Sequence, residues 1–397
     1  MVEQGWRQVP VGLDADRWVT RDTRATVLVA AHTPVAVHRL MDVVGLIEDD
    51  PRIQLVFSQA PAALGAGVAE YLDSLGALRI SWQQATREKF DLALAAAYAA
   101  IDEIHAPVMV MQHGAARGKR SGGTGQVYGL DAGRLLRDGK PVPATLVLSH
   151  DTDLGTLAEQ CPQAVDIALV AGDPSYDRMV ASLRHRDDYR WALDVPADRE
   201  LVVFASTWGP HSLFARLEQY LPTVLKHMDP QRYQLALMVH PGAWSAHGSR
   251  QIKAWLSGAR AAGLMLIEPD LDWRAAAIAA DYLIGDHGSA TIYAAALGTP
   301  VLCTDLPLDT LNPASPQALV GTQAPRLLSA RPLGPQLRHA ANWLRSLPEG
   351  AIAARLTSRP GQAHQLLRRE MYRLLGMSMP GRHRAAEPIP VPDPIRR

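Results

Sequence analysis

Two histidines stand directly behind short apolar runs, where a strand would end. His113 lies in Gln112-His113-Gly114 after Val108 to Met111, and His240 lies in His240-Pro241 after Gln234 to Val239. An imidazole titrates near about 6.5, so either ring suits a general base or a phosphate contact. Gly114 lets the chain turn sharply behind the first. The plainer reading of each is a histidine that ties down its loop. Past His113 come Arg117, Lys119 and Arg120, then Ser121-Gly122-Gly123-Thr124-Gly125. So many glycines beside three cations read as a basic flap able to close over phosphates, or as a solvated loop. It is not a phosphate-binding P-loop: Gly114 to Lys119 is one residue short of that spacing, and Arg120 replaces the hydroxyl that would hold magnesium.

The most specific local pattern is Asp286-His287-Gly288-Ser289-Ala290-Thr291, followed by an apolar helix to Leu297. Unpaired amides at a helix start, a glycine for close approach and the hydroxyls of Ser289 and Thr291 describe an anion site. The alternative is a simple N-cap by Ser289. Ser206-Thr207 after Leu201 to Ala205 offers two more hydroxyls at a strand end, with Trp208 read as a core residue or, alternatively, as a ring that stacks on a base. Glu268, in Glu268-Pro269-Asp270, is placed to accept hydrogen bonds from a ribose or sugar hydroxyl, or to cap a helix. Gly172-Asp173-Pro174-Ser175-Tyr176-Asp177 reads as a strand turning into a helix. Asp151-Thr152-Asp153 and Asp270-Leu271-Asp272 match a metal-diphosphate pattern that is short and weak, at places where helix caps are expected. No metalloprotease, zinc-cluster or serine-nucleophile motif occurs, so no metal and no cofactor are expected.

These residues need elements to hold them. Short apolar runs cover Ala25 to Ala31, Ile53 to Ser58, Leu78 to Ser81, Leu92 to Ala97, Val108 to Gln112, Thr145 to Ser149 and Asp166 to Ala171. A second series covers Leu201 to Ser206, Gln234 to Val239, Leu264 to Glu268, Asp281 to Gly285 and Pro300 to Cys303. Runs of this length between helix-sized segments predict parallel strands covered on both faces, although the alanine-heavy run Leu92 to Ala97 also suits a helix. Two series predict an α/β chain with two facing Rossmann-like, doubly wound parallel-sheet domains and an interdomain cleft. The expected limits are a first domain over 20–185, a polar linker over 186–200, a second domain over 201–376 and a flexible Pro/Arg-rich tail over 377–397. A helix over Gln362 to Leu375 closes the second domain, although in two-domain folds of this type the last helix often crosses back to the first. In such sheets ligands bind beyond the carboxyl ends of the strands. That rule places His113 and His240 opposite each other.

Bulk composition narrows the partners. The 397 residues carry 40 basic and 40 acidic side chains, so no global field draws in nucleic acid or an anionic membrane. Two cysteines, Cys161 and Cys303, give no disulfide framework, and a reducing cytoplasm is the expected home. No run is long enough to span a bilayer. A small-molecule donor and acceptor are the expected partners, with homodimerisation left open.

In their order along the chain, Gln112-His113-Gly114, Gly172 to Asp177, Ser206-Thr207-Trp208, His240-Pro241 and Asp286 to Ser289 resemble the CDP-glycerol glycerophosphotransferase family, the teichoic-acid polymerases. The resemblance spans about 108–303. It implies the GT-B fold, the two-Rossmann architecture shared by many glycosyltransferases. It implies that His113 matches the family's candidate base, and that His240 and Ser289 match its nucleotide-diphosphate ligands. Gln112 and Ala115 differ from the neighbours usual there, His287-Gly288 stands where the family has Tyr-Ser, and Ser175 stands where it has arginine. The implied activity is transfer of a glycosyl or glycerophosphate-type group from a nucleotide-activated donor to a hydroxyl, without a metal. A sugar-nucleotide 2-epimerase, or a non-catalytic nucleotide-binding relative, is the alternative on the same fold.

Overall fold

The computed structural model describes residues 6–12, 15–17, 20–122, 124–269, 271–304, 306–381 and 385–394. Gly123, in the glycine-rich loop, and Asp270 lie outside the described residues. The chain divides into two compact units. The first comprises Met1–Arg117, Gln126–Ser175 and Ser358–Ala386; the second comprises Gly118–Gly125, Tyr176–Thr357 and Glu387–Arg397.

The first unit is built on seven parallel strands: β1 (Ala25–Ala31), β2 (Ile53–Gln59), β3 (Arg79–Ile80), β4 (Leu92–Ala95), β5 (Val108–Val110), β8 (Thr145–Leu148) and β9 (Ala168–Val170). Between β5 and β8 sits a small antiparallel hairpin, β6 (Leu136–Arg137) with β7 (Lys140–Pro141), which has no apolar run to announce it. The sheet order is β3-β2-β1-β4-β5-β8-β9. The chain therefore starts mid-sheet, winds to one edge, returns to β4 and winds to the other. Val27, Val29, Leu92 and Leu94 pack on one face with Leu40 of the helix Pro34–Val44, and Leu28, Ala30, Ala93 and Ala95 pack on the other. Burial on both faces explains why these strands read as unbroken apolar runs.

The second unit repeats the plan with five parallel strands: β10 (Glu200–Ser206), β11 (Tyr233–Val239), β12 (Met265–Ile267), β13 (Tyr282–Gly285) and β14 (Val301–Cys303). Their order is β12-β11-β10-β13-β14. The order reverses between β10 and β13, so the loops leaving those two strands lie side by side at the switch point.

Three expected boundaries change. The helix Ala363–Leu374 belongs to the first unit, not the second, because Ala363, Leu367, Met371 and Tyr372 enter the core of the first sheet. The expected linker 186–200 is part of the second unit. Its helix Arg186–Ala192 is fastened by Arg186 and Arg190, which both pair with Asp281 at 2.7 Å. The tail is not loose where it is described. Ile389 is buried, its N–H donates to Ser182 Oγ (2.8 Å), and its carbonyl accepts from the Tyr189 hydroxyl (2.5 Å). Arg178 donates to the carbonyls of Glu387 and Pro388.

Candidate functional site

In the first unit, the loop after β5 is fixed at nearly every residue. His113 is exposed, and its Nδ1 lies 2.9 Å from the Ala96 carbonyl at the end of β4. A carbonyl only accepts, so Nδ1 carries the proton and the lone pair of the neutral ring is on Nε2. Arg39 donates to the Gly114 carbonyl (3.3 Å) while forming a buried two-point pair with Asp173 at 3.0 and 3.1 Å. Ser175 bonds to Asp42 in the same layer. Asp173 and Ser175, which the sequence places at a helix start, thus brace the helix Pro34–Val44 and the His113 loop. Arg117 is also structural. It is buried, and it donates to the Tyr98 hydroxyl and to the Gly129 and Val147 carbonyls. That removes Arg117 from any flap.

In the second unit, Asp286 organises the switch point. Its carboxylate accepts from the amides of Thr207 (2.9 Å), Leu213 (2.9 Å) and Gly288 (2.9 Å), pinning the loop after β10 to the loop after β13. It is 1% exposed, so its expected role as a ligand contact gives way to that of a buried clamp. Burial pushes its pKa up, opposed by the three amides and by Lys119. Ser206 is spent in the same loop, donating to the Thr207 carbonyl and accepting from the Phe214 amide, both at 2.8 Å. Thr207 is buried. Trp208, expected in the core, is 47% exposed.

The helix Ser289–Ala296 begins with Gly288 at the N-cap and has no side-chain cap. Ser289 is the first helical residue and not the cap. Thr291 is the clearest correction among the expected ligands. It is 1% exposed, and a Cβ on Gly285 would come within 2.1 Å of its hydroxyl. The missing side chain at Gly285 leaves the room that Thr291 fills where the helix lies against β13.

Just before this helix start, His287 lies within the electrostatic reach of several basic side chains. His287 is lowered to about 4 by burial, with Lys119, His211 and Arg216 adding to the shift. It is therefore neutral, and its buried Nδ1 has no hydrogen-bond partner among the described residues. Burial also lowers Lys119, opposed by Asp286. His211 and Arg216 carry no recognisable motif; the loop folded back onto Asp286 brings them here, with Arg216 donating to the His211 carbonyl (3.1 Å). Lys119 is not on a free flap. It pairs antiparallel with Leu311, and the Arg120 amide donates to the Thr310 carbonyl (2.9 Å).

The remaining expected residues lie as follows. His240 Nδ1 accepts from the Gly242 amide (2.9 Å) and caps the helix Pro241–His247, which leaves the neutral ring's proton on Nε2. Glu268 forms an ion pair with Lys253 at 2.7 Å. Asp272 caps its helix and pairs with Arg274, and Asp151 pairs with Arg359.

No protein-family model matches the chain, and no curated protein matches it significantly in sequence. Solved structures do. A variant of the wall teichoic acid polymerase TagF soaked with CDPG has a TM-score of 0.61 at 14% identity, covering 88% of this chain and 88% of that one. An S. aureus MnaA–UDP structure scores 0.55 at 13% identity, covering 90% and 99%. A UDP-GlcNAc 2-epimerase from Neisseria meningitidis bound to UDP-GlcNAc scores 0.51 at 16% identity, covering 88% and 99%. No helix among the described residues is long and apolar enough to cross a membrane. Two doubly wound parallel sheets, matched over almost their whole length by these structures, give the chain the GT-B fold.

Proposed function

We propose that this chain is a transferase that moves a glycosyl or glycerophosphate-type group from a nucleotide-activated donor to a hydroxyl acceptor. The observation that carries the proposal is the helix start at Gly288-Ser289, which has no side-chain cap and follows His287, a ring on which Lys119, His211 and Arg216 act electrostatically. Backbone amides and side-chain cations together suit a diphosphate. His240, with its proton on Nε2, is a donor to the same anion. A fixed set of cations supplies the positive charge, so no cofactor is invoked.

His113 has the tautomer that a base needs. The acceptor's hydroxyl proton passes to Nε2 as its oxygen forms the new bond. The bond to the donor's phosphate breaks, the electron pair leaves with that phosphate, and Arg216 and Lys119 balance the charge. A tethered base of this kind is worth about 10²–10⁴ in rate.

The test uses the full chain with CDP-, UDP- and GDP-activated donors and a set of hydroxyl acceptors. Product only when an acceptor is present, lost in His113→Ala with donor affinity unchanged, supports the proposal. Product from donor alone makes the chain an epimerase. Donor binding without turnover makes it a binding protein, and full turnover in His113→Ala removes that residue from the chemistry.

A further inference from the structure

In the first unit the sheet order reverses between β1 and β4, and the His113 ring is bonded to the turn that leaves β4 at this switch point. Ala95 is the last residue of β4, and its carbonyl accepts from the Met111 amide (2.9 Å). The Ala96 carbonyl lies one residue past that ladder, so the turn and not the sheet aims it. The turn runs into Ala100, whose φ of 55° lies in the left-handed region that side chains disfavour. It therefore needs fastening. Tyr98 supplies one fastening, its hydroxyl donating to the Gly129 carbonyl (3.0 Å) and accepting from Arg117 (2.9 Å). His32 supplies another. Its Nε2 lies 2.8 Å from the Ala99 carbonyl, and its Nδ1 lies 3.1 Å from the Ala30 carbonyl.

An imidazole between two carbonyls satisfies both only when it carries two protons. His32 is 1% exposed, and burial lowers its pKa against the pull of the two carbonyls, so the ring is neutral and carries one. The shorter contact takes that proton, which bonds Nε2–H to the Ala99 carbonyl. The holder is stiffer than what it holds. His32 follows β1, which is paired along both edges, and it precedes the helix Pro34–Val44, where the Thr33 hydroxyl accepts from the Ala36 amide (3.2 Å). One turn thus carries a histidine at each end, His32 from behind β1 and His113 from behind β5, with β4 between them in the sheet.

We propose that His32 is a positioning residue for His113: by bonding the Ala99 carbonyl it fixes the turn 96–99, and so holds the Ala96 carbonyl where it keeps the His113 proton on Nδ1. This rests on the reading of His113 as the base and adds what sets its tautomer. With the Ala99 bond gone, the Ala96 carbonyl swings, the Nδ1–H bond weakens, and the neutral His113 ring divides between its two tautomers. Only rings with the lone pair on Nε2 take the acceptor's proton.

The test is nitrogen-15 NMR of the full chain labelled in histidine at about pH 8, where an ordinary imidazole is neutral, with turnover and thermal unfolding followed in parallel. In the wild type the His32 proton should be on Nε2 and the His113 proton on Nδ1. His32→Gln sets an amide nitrogen near the place of Nε2 and should preserve the His113 tautomer. His32→Asn sets one near the place of Nδ1, too short to reach Ala99. It should shift His113 toward a mixture of tautomers and lower kcat about fivefold, the worth of one neutral hydrogen bond, with donor affinity unchanged. A wild-type His32 proton on Nδ1 overturns the inference whether or not the variants fold. A His113 tautomer that is the same in His32→Asn as in the wild type overturns it too. Turnover that His113→Ala leaves intact instead overturns the base reading beneath it, whatever the tautomers do.

Discussion

His113 and His240 follow strands in the same way, yet their rings are set in opposite senses. The His113 Nδ1–H donates a hydrogen bond to the Ala96 carbonyl, while His240 Nδ1 accepts one from the Gly242 amide. One ring therefore presents a lone pair at Nε2 and the other a proton. Only the first can accept a proton at Nε2 without rearranging, which is the role the proposed function gives it. His287 has a third character, neutral because it is buried among cations. Its folded pKa, about 4, is below the ordinary histidine value, so the folded state binds fewer protons than the unfolded one between those limits. Whatever stability follows from this is complete above about pH 6.5 and is lost as the pH falls toward 4. Imidazole NMR with residue-specific assignment should find His287 neutral from pH 8 down to about 5.5. A titration midpoint near 6.5 would contradict its placement. His113 and His240 stood out in the sequence because each directly follows an apolar run. His211 and Arg216 were not, because only the fold of their loop onto Asp286 brings them to the helix start. Thr291 was misread for the complementary reason: helical spacing turns it inward, against Gly285.

Among the elements, all twelve strands of the two sheets fall where apolar runs predict them, because burial on both faces leaves a signal that needs no partner to interpret. Which unit a helix joins has no such signal. The amphipathic stripe of Ala363–Leu374 is visible in the sequence, but the sheet that covers it is not. Its docking into the first unit is reinforced by Asp50, which accepts from Arg52 Nε (2.9 Å) and Nη2 (2.7 Å) and from the Tyr372 hydroxyl (2.7 Å). The Arg52 hydrogen bonds hold the Asp50 carboxyl far below its usual range; burial opposes them and Tyr372 adds to them. A carboxyl lowered on folding stabilises the protein above its unfolded pKa of about 3.9 and loses that contribution as the pH falls below it. Urea unfolding of Asp50→Asn should therefore show lower stability than wild type at pH 7 and a shrinking difference toward pH 3. An equal difference at both values would show that the carboxylate's charge is not what secures the helix. The tail was misjudged on composition. Proline-rich sequence suggests disorder, yet an extended chain needs only a few anchors, and Ile389 with its two backbone hydrogen bonds supplies them.

At the scale of the whole molecule, the chain passes between the two units at 117/118, 125/126, 175/176, 357/358 and 386/387. The sequence reading set a single linker over 186–200, whereas the passage in that region falls at 175/176. The short excursion at 118–125 and the return of the last helix are invisible to patterning, since neither changes the local periodicity. The equal counts of acidic and basic residues in the sequence imply that any anion is caught locally, and the proposed function puts that local site at Gly288-Ser289, next to the His287 ring on which Lys119 and Arg216 act. Hydrogen–deuterium exchange of the full chain, with and without saturating UDP or CDP, tests that claim most directly. The predicted result is new protection confined to peptides covering 118–121, 206–217 and 285–292. Binding that protects other segments while leaving 285–292 unchanged would contradict it.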